Sequence, residues 1–136
     1  LSFILDASIA LSWCFEDEAS PATDALAQRL AADGAVVPDL WHLEVSNVLI
    51  QAMRRGRITP DGVFHRARLF ESLPVITDRV EGGTIWAAVL ELATKHRLSS
   101  YDARYLELAL RLALPLASRD AALIAAAKAE GVSVLP

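Results

Sequence analysis

The chain has 136 residues, 54% of them hydrophobic, and a formal net charge of −4. That length suits one domain, 1–136, and excludes two well-built cores. No apolar run is long enough to cross a bilayer, Leu1 to Asp6 lacks the basic and long apolar segments of a signal peptide, and a lone cysteine, Cys14, excludes an internal disulfide.

These features predict a protein of the reducing cytoplasm with no membrane segment. The mean hydropathy of +0.34 is high for so short a chain and predicts a self-contact or a partner contact. Taken alone, the pI of about 5.3 argues weakly against a nucleic-acid partner. The positive charge is nearly all arginine, with Lys95 and Lys128 the only lysines. Arg54, Arg55 and Arg57 surround Gly56 and admit two readings, a solvated helix end or a set of phosphate contacts.

In chain order, Ser2 to Leu5 reads as a buried first strand and 7–15 as a short helix. A helix over 21–32 leads to a second strand, 35–37, ended by Pro38. Helices follow over 40–55 and 60–71, the latter started by Thr59 as cap and Pro60 in the first turn. Val75 to Ile76 is a third strand. Helices over 83–96 and 101–112 precede a fourth strand, 116–118. A helix over 121–130 precedes a fifth, 132–135. Gly34, Gly56 and Gly131 stand where helix C-caps belong. Short all-apolar strands alternating with helices predict a parallel sheet covered on both faces. Ligands of such sheets bind outside the carboxyl ends of the strands.

Asp6 ends the first strand and Asp120 follows the fourth, so both belong at that carboxyl edge. Glu44 lies one turn into its helix and shares a face with Asn47, among Trp41, Val45 and Val48. Asp102 opens a helix whose other face is apolar. Converging carboxylates repel strongly unless a divalent cation stands among them, and hard oxygen donors select magnesium, manganese or calcium. Spacing alone leaves a second reading open. Asp6 and Asp120 also suit helix N-caps, Asp102 gains from the helix dipole, and Glu44 with Asn47 could be a buried polar pair.

Other chemistries fit less well. His42, His65 and His96 have no paired ligand spacing. Gly82-Gly83 is no phosphate loop, and Ser8 lacks the flanking glycines of a nucleophile elbow. Trp13, Trp41 and Trp86 read as core or interface residues. A receiver domain would need a phosphoacceptor after the third strand and a lysine after the fifth, and only Asp78 and the helical Lys128 come near those places.

Asp6-Ala7-Ser8, Pro38-Asp39-Leu40 with Glu44-Val45-Ser46-Asn47, Tyr101-Asp102-Ala103-Arg104-Tyr105-Leu106 and Leu116-Ala117-Ser118-Arg119-Asp120 occur in that order. Together they resemble the PIN-domain toxins of the VapC type, over essentially the whole chain. The resemblance implies an α/β/α three-layer sandwich, here with a central, mainly parallel sheet of five strands. It implies a magnesium- or manganese-dependent endoribonuclease with Asp6, Glu44, Asp102 and Asp120 as catalytic and metal-binding acids. Ser8, Asn47 and Ser118 would be the small polar residues beside the metal. The last position is usually Thr in that family, so Ser118 keeps the hydroxyl and loses the methyl. The implied partners are an RNA substrate, transfer or ribosomal, a cognate antitoxin that blocks the site, and a second copy in a homodimer. A further reading is a PIN fold that binds RNA without cutting it.

Overall fold

The computed structural model describes residues 2–136; Leu1 lies outside them. Four strands, β1 (Phe3–Leu5), β2 (Ala35–Pro38), β3 (Val75–Asp78) and β4 (Leu116–Ala117), form one sheet in the order β3-β2-β1-β4. Every neighbouring pair is parallel. Ile4 stands beside Val36 on one side and Leu116 on the other. Successive strand residues point to opposite faces, yet all three residues of β1 and all four of β2 are buried. Both faces of the sheet's middle are therefore covered, as the unbroken apolar runs predict.

The expected fifth strand is corrected to a single bridge between Leu116 and Val134. Leu116 N donates to Ser133 O and Leu135 N to Leu116 O, both at 2.9 Å. β4 has only two residues, because Pro115 precedes it and the chain turns toward the sheet's edge at Ser118. A following strand can pair with it at one position only.

The helices are α1 (Ala7–Ser12), α2 (Pro21–Asp33), α3 (Trp41–Arg54), α4 (Pro60–Glu71), α5 (Gly82–Thr84), α6 (Leu90–His96), α7 (Ser100–Leu112) and α8 (Ala121–Ala129). α1 stops three residues short of the expected end, and Phe15 turns into the core at 6% exposure. The helix expected over 83–96 is interrupted by a π-turn, Ile85–Val89, between α5 and α6. Thr59 caps α4 as expected, accepting from Gly62 N at 3.0 Å. Gly34 ends α2 at φ 75°, a conformation that favours glycine, and a Cβ there would stand a tight 3.1 Å from Pro74 O. Of the three tryptophans, Trp41 is buried in the main core, Trp13 lies at its border, and Trp86 is 74% exposed.

The order of the strands positions the site. The chain runs outward from β1 to β2 to β3, then returns to place β4 on the other side of β1. The switch in direction falls between β1 and β4, the place where an open α/β sheet leaves a crevice at its carboxyl edge. Asp6 leaves β1 there, and Ser118 and Asp120 leave β4.

Candidate active site

Asp6 is 5% exposed and is tied to β4 through its backbone N, which donates to Ala117 O at 3.0 Å. It occupies the N-cap position of α1 but makes no side-chain cap bond. Instead, Oδ2 accepts from Ser8 Oγ at 2.7 Å and Ser118 Oγ at 2.6 Å. Burial pushes this carboxyl above the usual range, the two hydroxyls pull it part of the way back, and Asp120 adds repulsion.

The two serines are relays. Ser8 Oγ accepts from Arg119 N at 2.9 Å, and Ser118 Oγ accepts from Asp120 N at 3.0 Å. Each hydroxyl spends its one proton on Asp6 and takes a backbone proton in return. This couples the ends of β1 and β4.

Asp120 caps α8, with Oδ2 accepting from Leu123 N at 2.8 Å. Its cap role is real, and it leaves the other oxygen, Oδ1, outside that bond. Asp102 sits in the first turn of α7, where Ser99 rather than Asp102 is the N-cap and takes Asp102 N at 3.1 Å. Burial raises the Asp102 carboxyl, followed by repulsion from Asp120 and Asp6. Glu44, in the first turn of α3, is raised by burial and then by Asp6 and Asp102, against a lowering hydrogen bond. That bond comes from Tyr105 OH to Glu44 Oε1 at 2.6 Å.

Repulsion from neighbouring acids thus reaches Asp6, Glu44 and Asp102. Among the described residues none of the four acids is in an ion pair with an arginine, lysine or histidine. No group of three or more His, Cys, Asp or Glu among them forms a ready coordination cage. Magnesium commonly keeps several waters and takes only one or two carboxylates directly, so a spaced set of hard oxygen donors with uncompensated charge fits a hydrated divalent ion.

Asn47 lies three residues after Glu44 in α3. It is exposed, and its side chain makes no hydrogen bond among the described residues. The buried stripe of α3 is Trp41, Val45, Leu49 and Ala52, and Asn47 lies on the other side of Glu44 from it. Tyr105 is the residue that sequence reasoning missed. It is fully buried. The available signal was its spacing, three residues after Asp102 on the same helix face. Burial, with Asp6 and Glu44 close by, raises its phenol strongly, so it stays a proton donor to Glu44.

The PIN domain family model matches residues 3–134. The chain belongs to the PIN domain family. Solved structures with this PIN fold include PAE2754 from Pyrobaculum aerophilum, 21% identical, TM-score 0.69, covering 93% of this chain and 84% of that one. FitAcB from Neisseria gonorrhoeae is 15% identical, TM-score 0.69, covering 100% of this chain and 97% of that one. VapC20 from Mycobacterium tuberculosis, described as a sarcin-ricin loop cleaving toxin, is 18% identical, TM-score 0.64, with full coverage of both chains. No curated protein matches the chain. At these identities the structures establish the shared fold of the PIN domain.

Proposed function

We propose that this PIN domain is a divalent-metal-dependent endoribonuclease and the toxin of a toxin–antitoxin pair. The observation that carries the reading is the buried Asp6 carboxylate, which is held by two hydroxyls, coupled to Asp120, Glu44 and Asp102, and left without a cationic partner. A folded chain keeps such uncompensated charge where a cation or a reaction uses it. The solved structure of VapC20, described as a sarcin-ricin loop cleaving toxin, supports the same reading.

Asp6, Glu44, Asp102 and Asp120 would hold magnesium or manganese, which when bound makes an attacking water more acidic and offsets charge on the leaving oxygen of a phosphodiester. Ser8 and Ser118 fix Asp6 so that Oδ1 is free of both hydroxyl bonds. Tyr105 fixes Glu44 through Oε1, and Oε2 remains to accept a proton or orient a water. Asp120 is held by the α8 N-terminus. Asp102 is the acid with the fewest restraints, and it completes the negative edge. Asn47 on the exposed side of Glu44 has a free amide for substrate.

The proposed partners are RNA, an antitoxin that covers the carboxylate edge, and a second copy of the chain. No helix among the described residues is long and apolar enough to cross a membrane, and we place the protein in the cytoplasm. The receiver reading loses its support, because Asp78 is bound by Arg104 and Arg111. Cleavage of RNA with manganese and with excess chelator tests the function. Chelation abolishes cleavage, and Asp6→Asn keeps the fold and loses more than about 100-fold in rate, beyond what loss of an outer contact costs. Equal cleavage in chelator rejects the metal mechanism, and a wild-type rate for Asp6→Asn removes Asp6 from the site.

A further inference from the structure

A polyanion approaching the four acids is repelled by them, and the chain as a whole carries −4. Cations beside the edge must offset that repulsion. One groove, about 530 Å³ in volume, contains the edge residues Ser8 and Asp120 and is also lined by Arg57, Arg119, Phe15 and Glu18. The other arginines with charged partners are engaged elsewhere: Arg104 and Arg111 are tied to Asp78 and Glu107.

Both groove arginines are held in place by carboxylates, Arg119 by Glu18 alone and Arg57 by Glu18 and, at 2.5 Å, by Asp17, so RNA would have to displace Asp17 as well as Glu18. Glu18, in the 3-10 turn Glu16–Glu18, accepts from Arg119 Nη1 with Oε1 at 3.3 Å and from Arg57 Nη1 with Oε2 at 3.4 Å. Asp17 takes Arg57 Nη2. The Arg57 guanidinium lies 3.9 Å from the centre of the Phe15 ring, which is buried beneath it. Arg119 is tied to the acids through its own backbone N, which donates to Ser8 Oγ, and Ser8 Oγ in turn donates to Asp6. The two side chains are 42% and 43% exposed, and their pairs with Glu18 are long. Exposed pairs of this kind are weak, at about 0–1 kcal/mol. A phosphate offers a guanidinium two oxygens in its own plane and competes well for it.

We propose that Arg57 and Arg119 form the subsite for RNA backbone phosphates flanking the cleaved bond, and that Glu18, with Asp17 at Arg57, holds them oriented until RNA displaces both carboxylates. The proposal rests on the nuclease reading for its substrate and uses binding, not cleavage, as its test. Single-stranded RNA carries the phosphates past the acids in a flexible backbone that can follow the groove.

The experiment measures anisotropy of a labelled single-stranded RNA oligonucleotide on the full chain, in chelator, over a series of salt concentrations. It uses wild type, Arg57→Gln/Arg119→Gln, Arg57→Lys/Arg119→Lys and Glu18→Gln. The double Gln variant is expected to bind about tenfold more weakly, with the slope of log K against log salt smaller by about 1.4, two phosphate contacts at roughly 0.7 each. The double Lys variant keeps the slope and loses part of the affinity, and Glu18→Gln binds more tightly than wild type. Unchanged affinity and slope in a folded double Gln variant overturn the subsite. So does a wild type that binds polyglutamate and no RNA, which would assign the arginines to an acidic protein. A wild type that binds RNA through these arginines but cuts nothing in manganese keeps the subsite and rejects the nuclease reading.

Discussion

Helix α7 carries two ionic regions with opposite electrostatics. On one face, Tyr105 donates to Glu44, and Asp102 feels the repulsion of Asp120 and Asp6. On the other, Arg104, Glu107 and Arg111 meet Asp78 at the end of β3. The second region is balanced. Arg104, 2% exposed, donates to Glu107 Oε2 at 2.9 Å and Asp78 Oδ2 at 3.0 Å, and Arg111 donates to Glu107 and Asp78. Its hydrogen bonds from Arg111 and Arg104 hold the Asp78 carboxyl below the usual range. In the first region, burial and mutual repulsion hold Asp6, Glu44 and Asp102 above it. The same helix therefore locks itself to the sheet with paired charge and presents unpaired charge at the edge. Paired charge specifies where α7 sits; unpaired charge is what a cation and a reaction can use.

The largest effect should come from breaking the balanced region. Arg104→Ala leaves Glu107 buried at 5% exposure with one guanidinium instead of two, and strips Asp78 of its buried partner. Removing one member of a buried ionic set costs about 3–5 kcal/mol, and urea unfolding should show a loss of that size. A loss under about 1 kcal/mol, the scale of an exposed pair, would make the network ornamental and erase the contrast.

Tyr105→Phe sharpens the contrast from the other face. It removes one hydroxyl and leaves Glu44 without its orienting donor. The expected costs are about 1 kcal/mol in stability and about tenfold in RNA cleavage. The removed bond lowers the Glu44 carboxyl, so the acidic limb of the pH–rate profile should move to higher pH in the variant. An unmoved limb with a lower rate would make Tyr105 a packing residue only.

The two regions also differ in the sign of their pH dependence. The metal-free fold holds more protons than the unfolded chain at the raised acids. Their favourable contribution is present below the unfolded values, 3.8 for Asp and 4.5 for Glu, and is lost as pH rises through the raised folded values. The lowered Asp78 contributes above 3.8 and is lost as pH falls through its folded value. In chelator, Arg104→Ala should flatten the acid side of the stability profile and leave the loss toward neutral pH intact. A variant that flattens both sides would mean that the regions are one coupled network.

Much of this was legible in the sequence, and the gaps have physical causes. β1 and β2 declared themselves because a strand buried on both faces must be apolar at every position. Asp6 and Asp120 were placed by the rule that parallel strands present their ligands at the carboxyl edge, whereas Glu44 and Asp102 rested on their helix positions and on the family resemblance. The fifth strand was over-read because an apolar run after Gly131 says nothing about how many partners β4 can offer. The π-turn in 85–89 was invisible because one inserted residue barely disturbs a helical apolar pattern. Arg104, Glu107 and Arg111 had the right i, i+3 and i, i+4 spacing for ion pairs, but such spacing is ordinary on exposed helices and does not announce burial. Asn47 was placed with Glu44 by periodicity, which locates a face to within a turn.

The smallest effect is the most direct test, because it asks whether the edge acids share one site or serve four separate helix ends. Asp102→Asn removes one charge and keeps the shape, and Ser99 remains as the cap of α7. Thermal melts of wild type and variant at neutral pH, in chelator and in manganese, separate the two accounts. The shared site predicts that the variant melts above wild type in chelator, since a repulsive charge is gone. It also predicts that manganese raises the melting temperature of wild type more than that of the variant, because a ligand of the folded state stabilises according to its affinity. A variant that melts below wild type in chelator, with both proteins indifferent to manganese, would contradict the shared site.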